Sequence, residues 1–200
     1  MAFRPSRNLQ DVASNHPTTL LNAVRYVAGA LALACVASPA VAGGLVYELK
    51  AGVLAHDVPD LWSGFQVERS AADINIEAVL APSVTVLGGQ IRPAIGATIN
   101  TNGDTSHAYI DARWQWDTAI GVFFAIGVGA AIHDGETGPA GGLNHKWLGS
   151  RVLVHVPIEI GYHFDTHNSL AVYFEHTSNA YTQTYYDGMD RIGVRYGYRF

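Results

Sequence analysis

The sequence predicts an all-β protein, an eight-stranded antiparallel transmembrane β-barrel, and three observations support this fold class. Apolar and polar residues alternate one by one in eight successive segments after residue 43, which is the period of a strand with one apolar face. Charged residues make up only 14% of the chain, whereas a soluble domain usually carries about 25%. The chain also ends in Phe200, with an apolar or aromatic residue at every second position before it. Closing such strands into a barrel leaves no unpaired edge in lipid.

Residues 1–42 are predicted to form a secretory signal peptide that precedes the barrel of residues 43–200. The apolar run VAGALALACVA, residues 27–37, is too short to cross a bilayer as a helix, and it leads to the small residues of SPAVA, which end at Ala42. Cys35 is the only cysteine. Cleavage after Ala42 would therefore leave a mature chain without a disulfide.

The charge balance argues against a nucleic acid as partner. The whole chain has a formal net charge of −5, and removal of the signal peptide takes away three arginines and one aspartate, which changes the net charge to −7. Binding to a phosphate backbone depends on a basic surface, and the sequence shows no basic patch.

The first four predicted strands have polar faces rich in charged and amide side chains. They are residues 47–53, 73–80, 91–100 and 108–116, with polar faces formed by Glu48 and Lys50, by Asp73, Asn75 and Glu77, by Arg92 and Asn100, and by Asp111 and Arg113. Each segment is about the 9–11 residues that a tilted strand needs to cross a bilayer. Trp114 and Trp116 stand at one strand end, level with Tyr198 and Phe200, and predict an aromatic girdle at the membrane surface.

The last four predicted strands continue the alternation with informative polar faces. They are residues 120–129, 151–160, 170–178 and 190–200, with polar faces formed by Gly121, Ala125, Gly127 and Gly129, by Arg151, His155 and Glu159, by Tyr173 and Glu175, and by Arg191, Arg195 and Arg199. A face of Gly and Ala suits a crowded interior better than a surface in water. Because buried charges need partners, we expect the three arginines to pair with the two glutamates inside the barrel.

Alternation alone does not decide which face is outside, because a soluble lipocalin-like barrel that binds a lipid alternates in the same way. The Gly and Ala face, the internal charges and the aromatic C-terminal pattern favour a bacterial outer-membrane barrel whose apolar face meets lipid. Both termini of such barrels face the periplasm. Residues 82–89, 116–118 and 165–168 are then periplasmic connections, and residues 58–70, 135–149 and 179–188 are extracellular ones.

Three residues with the chemistry of a serine hydrolase share the lipid-facing parity at the extracellular end of the last two strands. His176 and Ser178 lie on one strand and Asp190 on the next, and adjacent strands are about 4.8 Å apart. A serine hydroxyl becomes nucleophilic when an imidazole takes its proton, and a carboxylate fixes the tautomer of that imidazole. Asn179 can offer its side-chain amide or its backbone N–H to an oxyanion. The pattern predicts an active site that meets an ester in the outer leaflet.

A structural interpretation of the same residues also stands. Polar side chains are common where a strand reaches the lipid headgroups, and the Asn-Ala and Asp-Gly pairs are ordinary turn sequences. On this interpretation the protein is a non-enzymatic structural or adhesive barrel. Residue types and spacing leave both interpretations open.

The segment HTSNA, which begins at His176, resembles the lipid A 3-O-deacylase family (PagL), together with DGMD and the closing IGVRYGYRF. Weaker similarity extends to YELKAGVLAHDV, DINIEAVL and NTNGDTSHAYIDARWQWD, so it covers most of the mature chain. The resemblance implies an outer-membrane eight-stranded barrel that hydrolyses the ester-linked acyl chain at the 3-position of lipid A, the membrane anchor of lipopolysaccharide. It implies a Ser-His-acid triad without metal or cofactor, and a homodimer as a candidate assembly.

The same resemblance assigns roles to individual residues. It implies that Ser178 is the nucleophile, His176 the general base and Asp190 the orienting acid, with Asn179 assisting at the oxyanion. The best-known members carry Glu where Asp190 stands, so the backbone must offset the shorter arm. Tyr181 replaces a glycine whose backbone N–H donates to the oxyanion, and a tyrosine tolerates fewer backbone conformations than a glycine.

No metal site is predicted from the remaining histidines. Those at strand ends or in loops show no recognised ligand spacing, and they are His56, His133, His163 and His167. His155 has the parity of the lumen beside Glu159, and we expect it to join a structural network. The run GETGPAGG, which starts at Gly135, predicts a loop that could gate the access of lipid.

Overall fold

The structure of the protein, a computed structural model, describes residues 44–64, 67–68, 71–139 and 145–200. The predicted signal peptide, residues 1–42, lies outside the described residues. Within the described part of the chain, no helix has the length and apolar character needed to cross a membrane.

The described residues form nine β-strands in a single antiparallel sheet. They are β1 (Val46–Ala55), β2 (Ala72–Leu80), β3 (Val84–Val86), β4 (Gly89–Asn100), β5 (His107–Asp117), β6 (Val122–His133), β7 (Val152–His163), β8 (Asn168–Ser178) and β9 (Met189–Arg199). The order in the sheet is β2-β1-β9-β8-β7-β6-β5-β4-β3, and β2 also pairs with β4. This last pairing closes the eight long strands into a barrel, so the predicted fold class is confirmed.

The short strand β3 is an addition that the sequence did not predict. It pairs with the start of β4 through a two-residue turn at Leu87 and Gly88, which have φ angles of 49° and 76°. Two consecutive residues with positive φ make the tight turn that matches the twist of a hairpin. The predicted periplasmic connection, residues 82–89, is therefore a small hairpin.

The apolar parity of the long strands points outward, as predicted. The exposed side chains form a band around the barrel that includes Ile76, Ile95, Ile99, Ile110, Val128, Ile132, Val152, Ile160, Leu170, Val172 and Val194. Each of the two isoleucines on β5 and β6, Ile110 and Ile132, exposes 60% of its surface. A contiguous apolar surface of this kind is rare on soluble monomers and typical of a barrel in lipid.

The opposite parity fills the lumen with buried charges. Arg195 donates to Glu159 at 2.6 Å, so this predicted pair is confirmed. Arg191 donates to Asp73 at 2.5 Å, and its Nη1 lies 3.6 Å from Glu175, the predicted partner. Removal of one partner from such a buried pair typically costs about 3–5 kcal/mol, because the other charge stays buried.

Arg199 pairs differently from the prediction. Its guanidinium lies 3.2 Å from Asp117 and 3.8 Å from Glu48, and not beside either of the two glutamates that were expected. Arg199 is the last residue of β9 and lies at the end of the barrel that is predicted to be periplasmic, where Asp117 ends β5. The prediction was wrong because it used the parity of the residue and ignored its height along the strand.

The small residues on the inner face of β6 are required by their neighbours. A Cβ atom at Gly129 would lie 2.0 Å from the carbonyl oxygen of Ile110 and 2.2 Å from Oδ1 of Asp111. No real Cβ atom approaches so closely. The interpretation of this face as the wall of a crowded lumen therefore agrees with the structure.

Four connections lie at the end of the barrel that is predicted to be extracellular. We call them L1 (residues 56–71), L2 (residues 101–106), L3 (residues 134–151) and L4 (residues 179–188). They contain the three connections that were predicted to be extracellular. L1, L3 and L4 contact one another beside β8 and β9, and this contact builds the candidate site.

Candidate active site

The structure brings together the three residues that the sequence selected. His176 lies directly opposite Asp190 in the register of β8 and β9, and Ser178 ends β8. His176 Nε2 lies 3.0 Å from Ser178 Oγ, and His176 Nδ1 lies 2.6 Å from Asp190 Oδ1. The imidazole therefore bridges a hydroxyl and a carboxylate, which is the arrangement that activates a serine.

The three side chains have the outward parity, as predicted. The sequence also suggested that all three face open lipid, but two of them do not. Asp190 is fully buried and His176 is 7% exposed, whereas Ser178 is half-buried. The cover is L1, whose Trp62 stacks on His176 with 4.6 Å between the ring centroids and 15° between the planes. The expectation of an open lipid face is thus corrected, because L1 folds back over the outer wall of the barrel.

The backbone of L1 also holds the second carboxylate oxygen of Asp190. The N–H groups of Trp62 and Ser63 donate to Asp190 Oδ2 at 2.6 and 2.5 Å, and Ser63 Oγ donates at 3.0 Å. The backbone of Asp190 accepts a further hydrogen bond from Val58 N–H at 2.8 Å. Both oxygens of this buried carboxylate are therefore bonded, and its orientation toward His176 is fixed. L1 thus supports the shorter arm of an aspartate at this position.

A buried lysine of L3 ties L1 and L4 together. Lys146 Nζ lies 2.7 Å from Asp57 Oδ1, 3.3 Å from Ser63 Oγ and 2.6 Å from the carbonyl oxygen of Gly188. Burial raises the pKa of Asp57 even though the ammonium of Lys146 opposes the shift. Lys146 thus contacts Ser63, the residue of L1 that donates to Asp190.

A second buried cluster anchors the other end of L1 to the barrel. His56 lies between two carboxylates, 2.8 Å from Asp73 and 3.0 Å from Glu68. Burial lowers the pKa of His56, but the hydrogen bonds to the two carboxylates outweigh it and raise this pKa overall. Burial opposes ionisation of Glu68, but hydrogen bonds from His56 and Thr105 outweigh it and lower the pKa of Glu68 to about 2.

The turn that follows the serine uses the side chain of Asn179 as its brace. Asn179 Nδ2 donates to the carbonyl oxygens of Leu148 and Tyr185 at 3.0 and 2.6 Å, and its Oδ1 accepts the N–H of Tyr181 at 3.0 Å. Ala180 and Tyr181 have φ angles of 53° and 61°. The side-chain amide of Asn179 and the N–H of Tyr181 were both predicted to serve an oxyanion, but both form hydrogen bonds within the turn. Of the predicted oxyanion donors, this leaves the backbone N–H of Asn179.

A glycine allows this turn to pack against L3. Gly149 has a φ angle of 72°, and a Cβ atom there would lie 1.9 Å from the carbonyl oxygen of Tyr185 and 2.5 Å from Asn179 Nδ2. A larger residue would displace L4 from L3. The position of Ser178 therefore depends on the contact between these two loops.

The chain carries a recognisable family pattern over most of its length. The model of the family "Lipid A 3-O-deacylase (PagL)" matches residues 57–199. The chain belongs to the PagL family. Among solved structures, the outer membrane enzyme PagL is 17% identical, with a TM-score of 0.58 over 76% of this chain and 99% of that chain. Neisserial surface protein A (NspA) is 11% identical, with a TM-score of 0.50 over 77% of this chain and 97% of that chain. No curated protein sequence matches the chain significantly.

These comparisons settle the location of the barrel. The structural similarity at such low identity shows a shared fold, and the family match shows a PagL-type protein. The protein is accordingly an outer-membrane β-barrel and not a soluble lipid-binding barrel.

In this member of the PagL family, a cavity of about 540 Å³ opens beside the half-buried serine. Its floor includes Val154 and Val156 of β7, which lie opposite Ser178 and His176 in the register of the sheet. Trp62, Tyr181 and Tyr186 form aromatic walls. The cavity is thus apolar along the barrel wall, as a site for a hydrocarbon chain must be.

The other histidines take part in structural contacts. His155 faces the lumen and joins a network of buried polar side chains, as expected, with Asp111 at 2.9 Å and Glu175 at 3.2 Å. Glu159 lies farther down β7, where Arg195 holds it. Three histidines outside the site contact nearby acceptors, namely His133 with Ser150, His163 with Asp117 and His167 with Arg199.

Sequence reasoning missed the residues of L1 and L3 that complete the site in this PagL-family protein. Trp62, Ser63 and Lys146 stand in segments without periodicity, so no pattern marked them. A buried lysine is rare without a partner, but the sequence does not show which residue that partner is. Only the folded loops bring these side chains to the triad.

Proposed function

We propose that this chain is a serine esterase that removes the 3-O-linked acyl chain from lipid A in the outer leaflet of the outer membrane. The observation that carries the proposal is the pair of contacts at His176, 3.0 Å from Ser178 Oγ and 2.6 Å from Asp190 Oδ1. Membership of the PagL family supports lipid A as the substrate class. A homodimer stays a prediction from the resemblance.

The first chemical step is acylation of Ser178. His176 Nε2 takes the hydroxyl proton as Ser178 Oγ attacks the ester carbonyl carbon, and the carbonyl electrons move to the oxygen. Asp190 stabilises the imidazolium that forms and keeps Nδ1 protonated. The tetrahedral intermediate then collapses, the bond from the carbonyl carbon to the sugar oxygen breaks, and the imidazolium returns its proton to that oxygen.

The oxyanion needs donors that are already in place. We assign one of them to the backbone N–H of Asn179, because the side chain of Asn179 is bonded to the carbonyls of L3 and L4. One such donor typically contributes about 2.7–4 kcal/mol to the transition state. The role of Tyr181 is then to form the turn and line the cavity.

Hydrolysis of the acyl-enzyme completes the cycle. A water molecule gives a proton to His176 Nε2 as its oxygen attacks the acyl carbon, and Ser178 leaves with that proton. The products are a free fatty acid and a lipid A with a free 3-hydroxyl group. The acyl chain lies along Val154 and Val156 in this scheme, so it stays in hydrocarbon throughout.

The test is mass spectrometry of lipid A from Gram-negative cells that express the wild type or Ser178→Ala. We expect the loss of one hydroxyacyl chain only with the wild type. Insertion of both proteins is checked by the altered mobility of a folded barrel in unheated gels. Identical lipid A from cells with equal amounts of inserted protein would overturn the proposal and leave a non-enzymatic surface barrel.

A further inference from the structure

Two histidines and a glutamate from three strands converge inside the barrel, on the opposite side of the wall from the candidate active site. His107 begins β5, His155 lies on β7, and Glu175 lies on β8. One ligand atom from each lies within 4.8 Å of the other two. His155 and Glu175 are fully buried, and His107 is 5% exposed.

Several polar atoms of this cluster lack a hydrogen-bond partner within the part of the chain that the structure describes. They include both ring nitrogens of His107 and Oε1 of Glu175. His107 Nε2 and Glu175 Oε1 approach each other to 3.4 Å, which is longer than an ordinary N–H···O hydrogen bond. Buried polar atoms in folded proteins are almost always bonded, so unpaired atoms that face one another point to a ligand between them.

The surroundings of the cluster match the second layer of a metal centre. Asp111 accepts a hydrogen bond from His155 Nδ1 at 2.9 Å, which leaves Nε2 of that ring to face Glu175 at 3.2 Å. The hydroxyls of Tyr173 and Thr98 donate to Glu175 Oε2 at 2.9 and 3.2 Å. A carboxylate behind a metal-binding histidine fixes its tautomer and raises its basicity, and donors behind a ligating carboxylate hold it in place.

We propose that His107, His155 and Glu175 bind a divalent transition-metal ion of the Zn²⁺ class. Two imidazoles and one carboxylate form a donor set that zinc uses, with a water molecule as fourth ligand. Bonds of about 2.0–2.2 Å place the ligand atoms of a tetrahedral site roughly 3.3–3.6 Å apart. The contacts of Glu175 are close to that size, although they start from its two oxygens: Oε1 lies 3.4 Å from Nε2 of His107, and Oε2 lies 3.2 Å from Nε2 of His155.

The local charge supports a cation at this point. The carboxylates of Asp111 and Glu175 both face the cluster. Arg191 Nη1 lies 3.6 Å from Glu175, while its Nε donates to Asp73 at 2.5 Å, so this one positive charge is shared between two carboxylates. Arg113 lies 3.7 Å from Asp111, but its closer partner is the carboxylate of Glu77 on β2. A divalent ion balances the two remaining negative charges.

The ion would act as a structural link between strands and not as part of the esterase chemistry. It joins β5, β7 and β8 inside the lumen, and Glu175 directly precedes His176 on β8. Neighbouring residues of a strand point to opposite faces. The metal ligand therefore points into the lumen and the candidate base points outward, although the two are consecutive residues of one strand. The proposal does not depend on the proposed function, since metal binding is measured without a substrate.

The experiment uses the full-length barrel purified from outer membranes in detergent, treated with a chelator and then titrated with Zn²⁺ or Co²⁺. The matched pair of variants is His107→Asn and His133→Asn, because His133 lies directly opposite His107 on β6, is also buried, and its ring nitrogen Nε2 bonds to the carbonyl oxygen of Ser150. We expect one Zn²⁺ per chain in the wild type and in His133→Asn. His107→Asn should bind Zn²⁺ at least 100-fold more weakly, and Asp111→Asn about 10- to 100-fold more weakly.

Two further measurements keep the proposal open to refutation if a variant folds poorly. The Co²⁺ form of the wild type should show the intense visible absorption of a tetrahedral site, and X-ray absorption of the Zn²⁺ form should show two imidazole ligands. Ca²⁺, which prefers oxygen ligands, should neither bind nor compete. The proposal is overturned if the wild type binds no Zn²⁺, if His107→Asn binds it as tightly as the wild type, or if the bound ion shows no imidazole ligands.

Discussion

The indole of Trp62 lies flat on the imidazole of His176, with 4.6 Å between the ring centroids and 15° between the ring planes. The backbone N–H of the same tryptophan donates to Asp190 at 2.6 Å, across 128 residues of sequence. One loop therefore covers the candidate base and orients the candidate acid. The candidate triad lies on one hairpin, and L1 covers and orients it.

The indole of Trp62 should increase the rate of the proposed hydrolysis, because its aromatic face stabilises the protonated imidazole of His176. An aromatic face stabilises a cation above it by about 0.5–2 kcal/mol, and His176 becomes cationic during each step. We expect Trp62→Ala to lower kcat roughly 2- to 30-fold while it keeps the backbone N–H, and Trp62→Phe to keep most of the activity. Release of fatty acid from purified lipid A measures the rate. Trp116→Ala, which removes a tryptophan at the periplasmic end, is the control, and equal losses in the two alanine variants would contradict the assignment.

Asp190 should fix the tautomer of His176. In Asp190→Asn the amide presents a donor where an acceptor is needed, so the imidazole proton moves to the nitrogen that must accept from Ser178. We expect kcat to fall by about 10³- to 10⁴-fold, with a smaller change in KM. Asp60→Asn is the control within L1, because Asp60 is exposed. Retention of more than a tenth of the activity in Asp190→Asn would show that the carboxylate does not perform this role.

The side chain of Asn179 should matter for the loops as well as for the rate. Asn179→Asp keeps the acceptor for Tyr181 but loses the donor to the carbonyls of Leu148 and Tyr185. We expect faster limited proteolysis within L4 and at least a tenfold loss of activity, since each lost bond to a buried carbonyl costs about 1–3 kcal/mol. An activity loss without any change in proteolysis would indicate that the side chain serves the oxyanion instead.

Lys146 and Asp57 should behave as a coupled pair. Lys146→Met leaves the buried carboxylate of Asp57 without its cation, and this should weaken the closure of L1 by about 3–5 kcal/mol. Because burial already raises the pKa of Asp57, removing its charge should relieve part of the damage. We expect the double variant Lys146→Met with Asp57→Asn to resist proteolysis of L1 better than Lys146→Met alone. Additive effects of the two substitutions would refute the coupling.

His56 should make the anchoring of L1 depend on pH. A protonated imidazole donates to both Asp73 and Glu68, whereas a neutral one can donate only once. The pKa of His56 is raised in the folded protein, so its stabilisation is complete below the unfolded value of about 6.5 and is lost as the pH rises through the raised pKa.

We therefore expect the difference in thermal unfolding midpoint between wild type and His56→Gln to be largest near pH 6. It should shrink as the pH rises toward about 9. His167→Gln, at an exposed periplasmic turn, should show no such trend. If the difference in unfolding midpoint instead grew with pH, the stabilising form of His56 would be the neutral imidazole and not the charged one.

The barrel and the close approach of the three candidate residues were predictable because both depend on short-range rules. The period of two assigns each side chain to a face, and His176 and Asp190 belong to one hairpin, so parity and proximity bring them together. The partner of Arg199 was missed because parity does not give the height of a residue along the barrel. The contacts of Trp62 and Lys146 join segments far apart in sequence without any periodicity, and only the packing of the loops determines them.

The position of Ser178 on the outside of the wall decides where the products travel. In the proposed reaction, the fatty acid released at Ser178 already lies among lipid acyl chains and diffuses away laterally. The sugar stays anchored in the membrane by its other acyl chains. Neither product needs a tunnel through the barrel. A lumen filled with buried arginine, glutamate and histidine side chains is compatible with such lateral release.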